Sequence, residues 1–329
     1  MPTAPPAGFP ALGAPVAGEE AVRHLTVAAD DAPQRIDNFL MRELKGLPRS
    51  RIYRMLRKGE VRVNGGRVKP THRLEPGDTI RIPPVRRAGA DPAAGPLPVG
   101  QGVLDALERA ILFEDEDLLV LDKPSGLAVH GGSGIGYGVI EALRRLRPEG
   151  TLELAHRLDR DTSGCLLVAK RRRTLAALHQ ALRDRSVGKV YTVVVHGAWP
   201  RRIRTVQLPL ARYLTAEGER RVRVAADGKP SRTDIEIQAS APGASLLTAR
   251  LHTGRTHQIR VHAAASGHPV VGDEKYSTPD QLAGAREAGV HRLCLHAASI
   301  SLVLDGRRRR FEAPLPAALT AAFEALGGG

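Results

Sequence analysis

His156-Arg157-Leu158-Asp159-Arg160-Asp161-Thr162-Ser163-Gly164 packs two arginines and two aspartates into positions 157–161, just ahead of the apolar run Leu166-Leu167-Val168-Ala169. The run predicts a buried strand. Charges crowded at the mouth of such a strand lose hydration, which is costly unless they are paired. Clusters of this kind are more often sites than scaffolding. On its residues alone, Asp159 has two readings. It is a helix cap or ion-pair partner, or it is a carboxylate held for chemistry.

Composition narrows what such a site could serve. The chain has 329 residues, enough for two domains and a sizeable core. Lys and Arg number 49 against 35 Asp and Glu, a net charge of +14. That excess favours a polyanionic partner, either nucleic acid or an acidic membrane surface. No apolar run reaches the roughly eighteen residues of a membrane span, so no transmembrane helix is expected. The first residues lack a basic stretch followed by an apolar core, which argues against a signal peptide. Cys165 and Cys294 form neither a disulfide framework nor a metal spacing, and read as reduced core residues. The expectation is a cytoplasmic protein that binds nucleic acid, not membrane, with nothing that requires an oligomer and so read as a monomer. Aromatics are only 3% of the chain, too few to stack base after base. Recognition of a folded RNA by shape and charge fits better.

Outward from the motif, the chain divides into four parts. Residues 1–22 are rich in Pro, Ala and Gly without periodicity, and predict a disordered tail. Residues 23–84 read as a small basic domain. A first helix opens at Arg35-Ile36-Asp37, and Ser50 is the expected N-cap of a second over 51–58, closed by Gly59. Ile52, Met55 and Leu56 share its inward face, while Arg51, Arg54 and Lys58 lie on another. A strand over 61–63 enters an Asn64-Gly65 hairpin turn, and a second turn at 74–78 leads into Thr79-Ile80-Arg81-Ile82. A basic helix alone is as readily a solvated face. Residues 85–103 predict a linker, and 104–329 a larger domain. In that domain, strands are expected at 118–121, 190–195, around Ile235 and Ile237, and at 246–251. A helix is expected over 174–184, and another over 257–265, capped by Thr256. Strands and helices mix without the alternation of a doubly wound fold.

Other constellations carry less. His252, His257, His262 and His268 lack the i, i+4 spacing of a helical zinc site, so no metal is expected. Gly131-Gly132-Ser133-Gly134-Ile135-Gly136 lacks the Gly-Lys-Ser/Thr ending of a phosphate loop and does not complete a dinucleotide fingerprint. It reads as a loop able to touch RNA. Asp305-Gly306 turns into the basic run 307–310, either an exposed hairpin or a phosphate contact.

Three separated motifs, Asp122-Lys123-Pro124-Ser125-Gly126, His156 to Gly164, and Arg255-Thr256-His257-Gln258-Ile259-Arg260, occur in the order found in the RluA/RluC family of RNA pseudouridine synthases, which the chain closely resembles. The stretch 129–141 is closest to the RluC-type members. The order of elements in 23–84 resembles the S4-type RNA-binding module that precedes the catalytic domain in many of them. The resemblance implies an α+β fold: the pseudouridine synthase fold, a mixed and largely antiparallel sheet with flanking helices, behind a small αL (S4-like) domain. It implies isomerisation of uridines in 23S ribosomal RNA, with no cofactor. A transfer-RNA or other rRNA synthase is the nearest alternative, and a non-catalytic ribosome-assembly factor the alternative of another class.

The resemblance also implies roles. Asp159 is the carboxylate nucleophile. Arg260 holds it charged, unless it merely pairs with a surface acid. Arg157 enters the RNA stack, or else contacts phosphate. Tyr191, in Lys189-Val190-Tyr191, packs on the flipped uracil, although a tyrosine in a β-branched strand is otherwise usually core. Ile259 belongs to the apolar wall of that pocket. Lys189, Arg255 and His257, with Arg51, Arg54 and Lys58 of the small domain, are the expected RNA contacts.

Overall fold

The computed structural model describes residues 22–29, 32–44, 47, 49–85, 99–131, 136–216 and 218–327. The expected tail, most of the expected linker and the centre of the glycine loop lie outside them. The described residues fall into two compact units.

The first unit holds strand β1 (Arg23–Thr26), helices α1 (Ile36–Glu43) and α2 (Arg49–Lys58), and strands β2 (Arg62–Val63) and β3 (Thr79–Ile82). The sheet order is β1-β3-β2. Ile52, Met55 and Leu56 of α2 are buried with Ile36, Leu40 and Ile80. Arg54 and Lys58 face solvent. The helix starts before Ser50, which lies in its first turn rather than capping it. Asn64 and Gly65 take φ of 48° and 77°, the pair of positive values that a tight hairpin turn needs.

The second unit runs α3 (Gln101–Arg109), β4 (Ile111–Glu114), β5 (Leu118–Lys123), α4 (Val139–Leu146), β6 (Glu153–Leu154), β7 (Ser163–Ala169), α5 (Arg172–Arg183) and β8 (Gly188–His196). It continues through β9 (Thr205–Val206), β10 (Leu210–Leu214), β11 (Arg220–Val224), β12 (Thr233–Ser240), β13 (Ala244–Leu251) and α6 (Gln258–Ala265). It ends with α7 (Pro279–Glu287), β14 (Leu295–Leu304), β15 (Arg307–Glu312) and α8 (Ala317–Gly327). Helix α3 begins at Gln101, inside the stretch expected to be linker.

The main sheet has the order β4-β5-β7-β14-β8-β13-β12-β9, with β15 on β14 and β6 on β7. It is the expected mixed, largely antiparallel sheet: among the described residues only β7 and β14 pair in parallel, at His296–Ser163 and Ala297–Gly164. Both faces are covered, and strand alternation shows it. Leu119 and Leu121 of β5 join one apolar cluster, Leu118 and Val120 another. On β7, Leu166 and Val168 divide from Cys165 and Leu167 in the same way. The last residue of the charged motif is fixed by this packing. Gly164 has φ +108°, and a Cβ there would lie 2.3 Å from the Ala297 carbonyl oxygen. Both cysteines are buried and free, their thiols pushed up by burial. No helix among the described residues is long and apolar enough to cross a membrane.

Candidate active site

Asp159 sits in the loop between β6 and β7, and that loop is pinned from three sides. From the end of β5, the fully buried Lys123 donates through Nζ to the carbonyls of Pro124 (2.7 Å), Leu127 (2.9 Å) and Arg160 (2.8 Å). Ser125 Oγ donates to the Asp161 carbonyl at 2.6 Å, and the Gly126 amide to that of Arg160 at 3.0 Å. The Asp122–Gly126 segment is therefore a cradle for the backbone just beyond Asp159. From β7, Ser163 Oγ accepts from Arg292 Nη2 at 2.6 Å and meets His296 Nδ1 at 2.9 Å. From within, His156 Nε2 accepts the Leu167 amide at 3.0 Å. Burial, helped by Lys189, pushes that imidazole down to about 4, which suits a neutral acceptor.

Across from the loop stands α6, whose first residues Gln258, Ile259 and Arg260 are all buried. The Arg260 guanidinium makes a two-pronged ion pair with the fully buried Asp273, Nε at 2.7 Å and Nη2 at 2.6 Å. Its remaining nitrogen, Nη1, lies 3.5 Å from Asp159 Oδ2. Burial works against the charge of Arg260. The hydrogen bonds to Asp273, with the charges of Asp273 and Asp159, outweigh it and raise the pKa. The site thus has a permanently charged cation locked at a fixed angle beside a partly exposed carboxylate.

His257 lies in the same place. It precedes the helix instead of joining it, with φ 53° and ψ 21°. Thr256 does not cap the helix as expected: its Oγ1 accepts from Arg212 at 2.6 Å. His257 Nε2 lies 3.8 Å from Asp159 Oδ2, and its Nδ1 lies 2.7 Å from the Tyr276 hydroxyl.

These groups open on a cavity of about 500 Å³, within the range of small-ligand pockets. Asp159, Arg260, Tyr191 and Ile259 all line it. So do Arg157, Lys189, Arg255 and His257, so the structure brings every residue singled out in the larger domain to one place. Tyr191 is buried on β8, and burial together with the Asp159 charge drives its hydroxyl pKa up. Arg157 is exposed at the cavity rim. Arg255 Nε donates to the Pro230 carbonyl at 3.3 Å. Arg51, Arg54 and Lys58 lie on α2 of the other unit.

Sequence reasoning missed the supports. Lys123 stands inside a motif, yet nothing in the sequence gives it a role. Asp273 and Tyr276 follow Gly272 in a stretch that reads as a turn, and only the fold brings them under α6. Of the four histidines weighed for metal, His262 lies between Ser231 Oγ (2.8 Å) and Thr233 Oγ1 (2.9 Å), a satisfied core position. Among the described residues no group of three His, Cys, Asp or Glu is placed to hold a metal ion.

Fold and cavity together define an α+β protein with a carboxylate–guanidinium pair at a cavity wall, and comparison gives its family. The RNA pseudouridylate synthase family model matches residues 117–265, and an S4 domain model matches 34–80. The chain belongs to the RNA pseudouridylate synthases. It is 50% identical over 308 residues to Ribosomal large subunit pseudouridine synthase C of Haemophilus influenzae, covering 93% of this chain and 95% of that one. The Escherichia coli strain K12 protein of the same name is 49% identical over 310 residues, covering 93% and 97%. Among solved structures, Human RNA Pseudouridylate Synthase Domain Containing 1 is 27% identical with a TM-score of 0.54, covering 67% of this chain and 89% of that one. Human RNA Pseudouridylate Synthase Domain Containing 4, at 24% identity and a TM-score of 0.56, shares the fold; it covers 68% of this chain and 95% of its own.

Proposed function

We propose that this pseudouridine synthase converts specified uridines of large-subunit (23S) ribosomal RNA to pseudouridine, in the cytoplasm, with Asp159 as its nucleophilic carboxylate. The observation that carries the site assignment is the carboxylate of Asp159 at a cavity wall, 3.5 Å from a guanidinium whose other edge is locked by buried Asp273. The substrate assignment is supported by relatives about half identical over nearly the whole chain and named for the large ribosomal subunit.

The reaction is an isomerisation. The N1–C1′ bond of uridine breaks, the uracil turns, and a C5–C1′ bond forms. C5 loses its proton and N1 gains one, so no oxidant, group donor or metal enters the balance. The base must first leave the RNA stack, because neither bond can be reached inside a helix. Asp159 supplies the nucleophile, and Arg260 stands beside it as a fixed counter-charge. Tyr191 and Ile259 form the wall against which the flipped uracil packs, and Arg157 at the rim takes its place in the stack or binds phosphate.

The test is pseudouridine mapping of ribosomal RNA from a deletion strain, by carbodiimide treatment and primer extension. Specific large-subunit stops should vanish, and return with the wild-type gene but not with Asp159→Asn. An unchanged ribosomal map would move the substrate to another RNA, and restoration by Asp159→Asn would remove Asp159 from its role.

A further inference from the structure

His257 is held in a conformation its residue type rarely adopts. Its φ of 53° lies in the left-handed region, where a residue other than glycine costs free energy and persists only if its surroundings enforce it. The enforcement is visible. Tyr276 Oη accepts the Val222 amide at 3.1 Å, so the hydroxyl's own proton is free to point elsewhere. The partner it meets is His257 Nδ1 at 2.7 Å. A hydroxyl that donates to Nδ1 requires that nitrogen to be unprotonated, which leaves the proton of a neutral imidazole on Nε2. That nitrogen is the one facing Asp159, 3.8 Å from Oδ2. Burial, the largest influence, lowers the imidazole pKa, and Arg260 and Lys275 act in the same direction against Asp159 and Asp273. This direction favours the neutral ring.

Two N–H groups therefore face one oxygen, and since neither contact is a direct hydrogen bond their pull on it is electrostatic. Arg260 Nη1 and His257 Nε2 both make their nearest approach to Oδ2. We propose that His257, fixed in its Nε2–H form by Tyr276, is a positioning residue that orients the Asp159 carboxylate so that Oδ1 is the oxygen presented to the nucleoside. The role rests on the reading of Asp159 as nucleophile and deepens it. It differs from the RNA contact that the motif alone suggested for His257. The carboxylate would otherwise turn about its terminal bond, a broad torsion with two nearly equivalent settings. With a single cation on one side, either oxygen could approach the substrate. A second N–H dipole facing the same oxygen biases that torsion before substrate arrives, and such preorganisation accelerates the chemical step without tightening binding.

The experiment compares the full-length wild type with His257→Gln, His257→Phe, Tyr276→Phe and Asp159→Asn. The probe is a transcript of large-subunit rRNA made with 5-tritiated uridine, whose label is released when C5 loses its hydrogen. Single-turnover rates and RNA dissociation constants are measured together. His257→Phe should slow turnover about 3- to 10-fold, as suits an electrostatic contact longer than a hydrogen bond, with RNA affinity within about threefold. His257→Gln, which keeps an N–H donor at the end of a side chain, should recover most of the rate. Nitrogen-15 spectra of histidine-labelled protein should show one ring locked as Nε2–H, becoming a tautomer mixture in Tyr276→Phe. Full-speed turnover by His257→Phe overturns the inference, as does an Nδ1–H form in the wild type. Equal loss in the Gln and Phe variants, together with weakened RNA binding, would return His257 to an RNA contact. Release of label by Asp159→Asn would instead overturn the nucleophile assignment itself, so the two failures are distinguishable.

Discussion

At the scale of single residues, the site is an ion triad whose energetics are set by burial. Arg260 is shared between a buried acid and a partly exposed one, and the buried partner does the structural holding. Removing one member of a buried pair leaves an uncompensated charge at a cost of about 3–5 kcal/mol. Asp273→Asn keeps the shape but loses the charge, and turns an amide N–H toward the guanidinium. The expected outcome is a drop of about 3 kcal/mol in urea-unfolding stability, with slowed tritium release. Unchanged stability would mean that Arg260 is held by its other neighbours. Asp159→Asn should behave in the opposite way: product falls below detection, while RNA affinity and unfolding midpoint stay near wild type. Asp159 and Arg260 are legible in the sequence because each stands inside an extended motif. Asp273 is not, because an aspartate after a glycine reads as a turn, and only the tertiary approach of that turn to α6 turns it into a buried counter-ion.

Among the elements, the Asp122–Gly126 cradle is the part most open to test. Lys123 meets three carbonyl acceptors and has three protons to offer when charged. Burial still pulls its pKa down to about 7, against Asp161 and Asp159. In an unfolded chain a lysine keeps its proton to about pH 10.4. Between those values the unfolded state binds more protons, so stability linked to Lys123 is fully present above about pH 10 and is lost as pH falls toward 7. Lys123→Met removes the group and leaves the Pro124 and Leu127 carbonyls without that donor, each worth about 1–3 kcal/mol, while the Arg160 carbonyl keeps the Gly126 amide. The variant should unfold at lower urea, and its deficit relative to wild type should widen from pH 7 to pH 9.5. Parallel stability curves would show that Lys123 does not titrate in this range. Element by element, legibility follows apolar periodicity. Strands β5, β7, β8 and β13 announce themselves by short runs of β-branched and apolar residues. The β10–β11 hairpin does not: Leu210 and Val222 are its buried anchors, and Arg212, Arg220, Arg221 and Arg223 hide the pattern. The start of α6 is hidden for another reason. A left-handed His257 has no sequence signature, since residues that favour that conformation are glycine and asparagine.

For the whole molecule, the division of labour follows from charge and from where chemistry is concentrated. The net charge of +14 is far more than a reaction site needs, and the S4 domain carries an exposed basic face on α2. The sequence makes this face legible, since Ile52, Met55 and Leu56 fix the opposite side to the core. Binding through such a face is mainly release of counterions from phosphate, so it should dominate the salt dependence of affinity and leave the chemical step alone. Replacing Arg54 and Lys58 together by glutamate in the full-length chain tests this. The slope of log affinity against log salt should fall by about 0.7–0.9 for each phosphate that is no longer neutralised, and affinity should weaken across RNA sequences alike. Turnover at saturating RNA should match wild type, because both residues belong to the unit that does not contain Asp159. A variant with an unchanged slope but slower turnover would reverse the assignment, making α2 part of the catalytic machinery. Asp159→Asn provides the complementary control, a full salt slope with no product, and the pair of variants separates the binding of RNA from the rearrangement of its uridine.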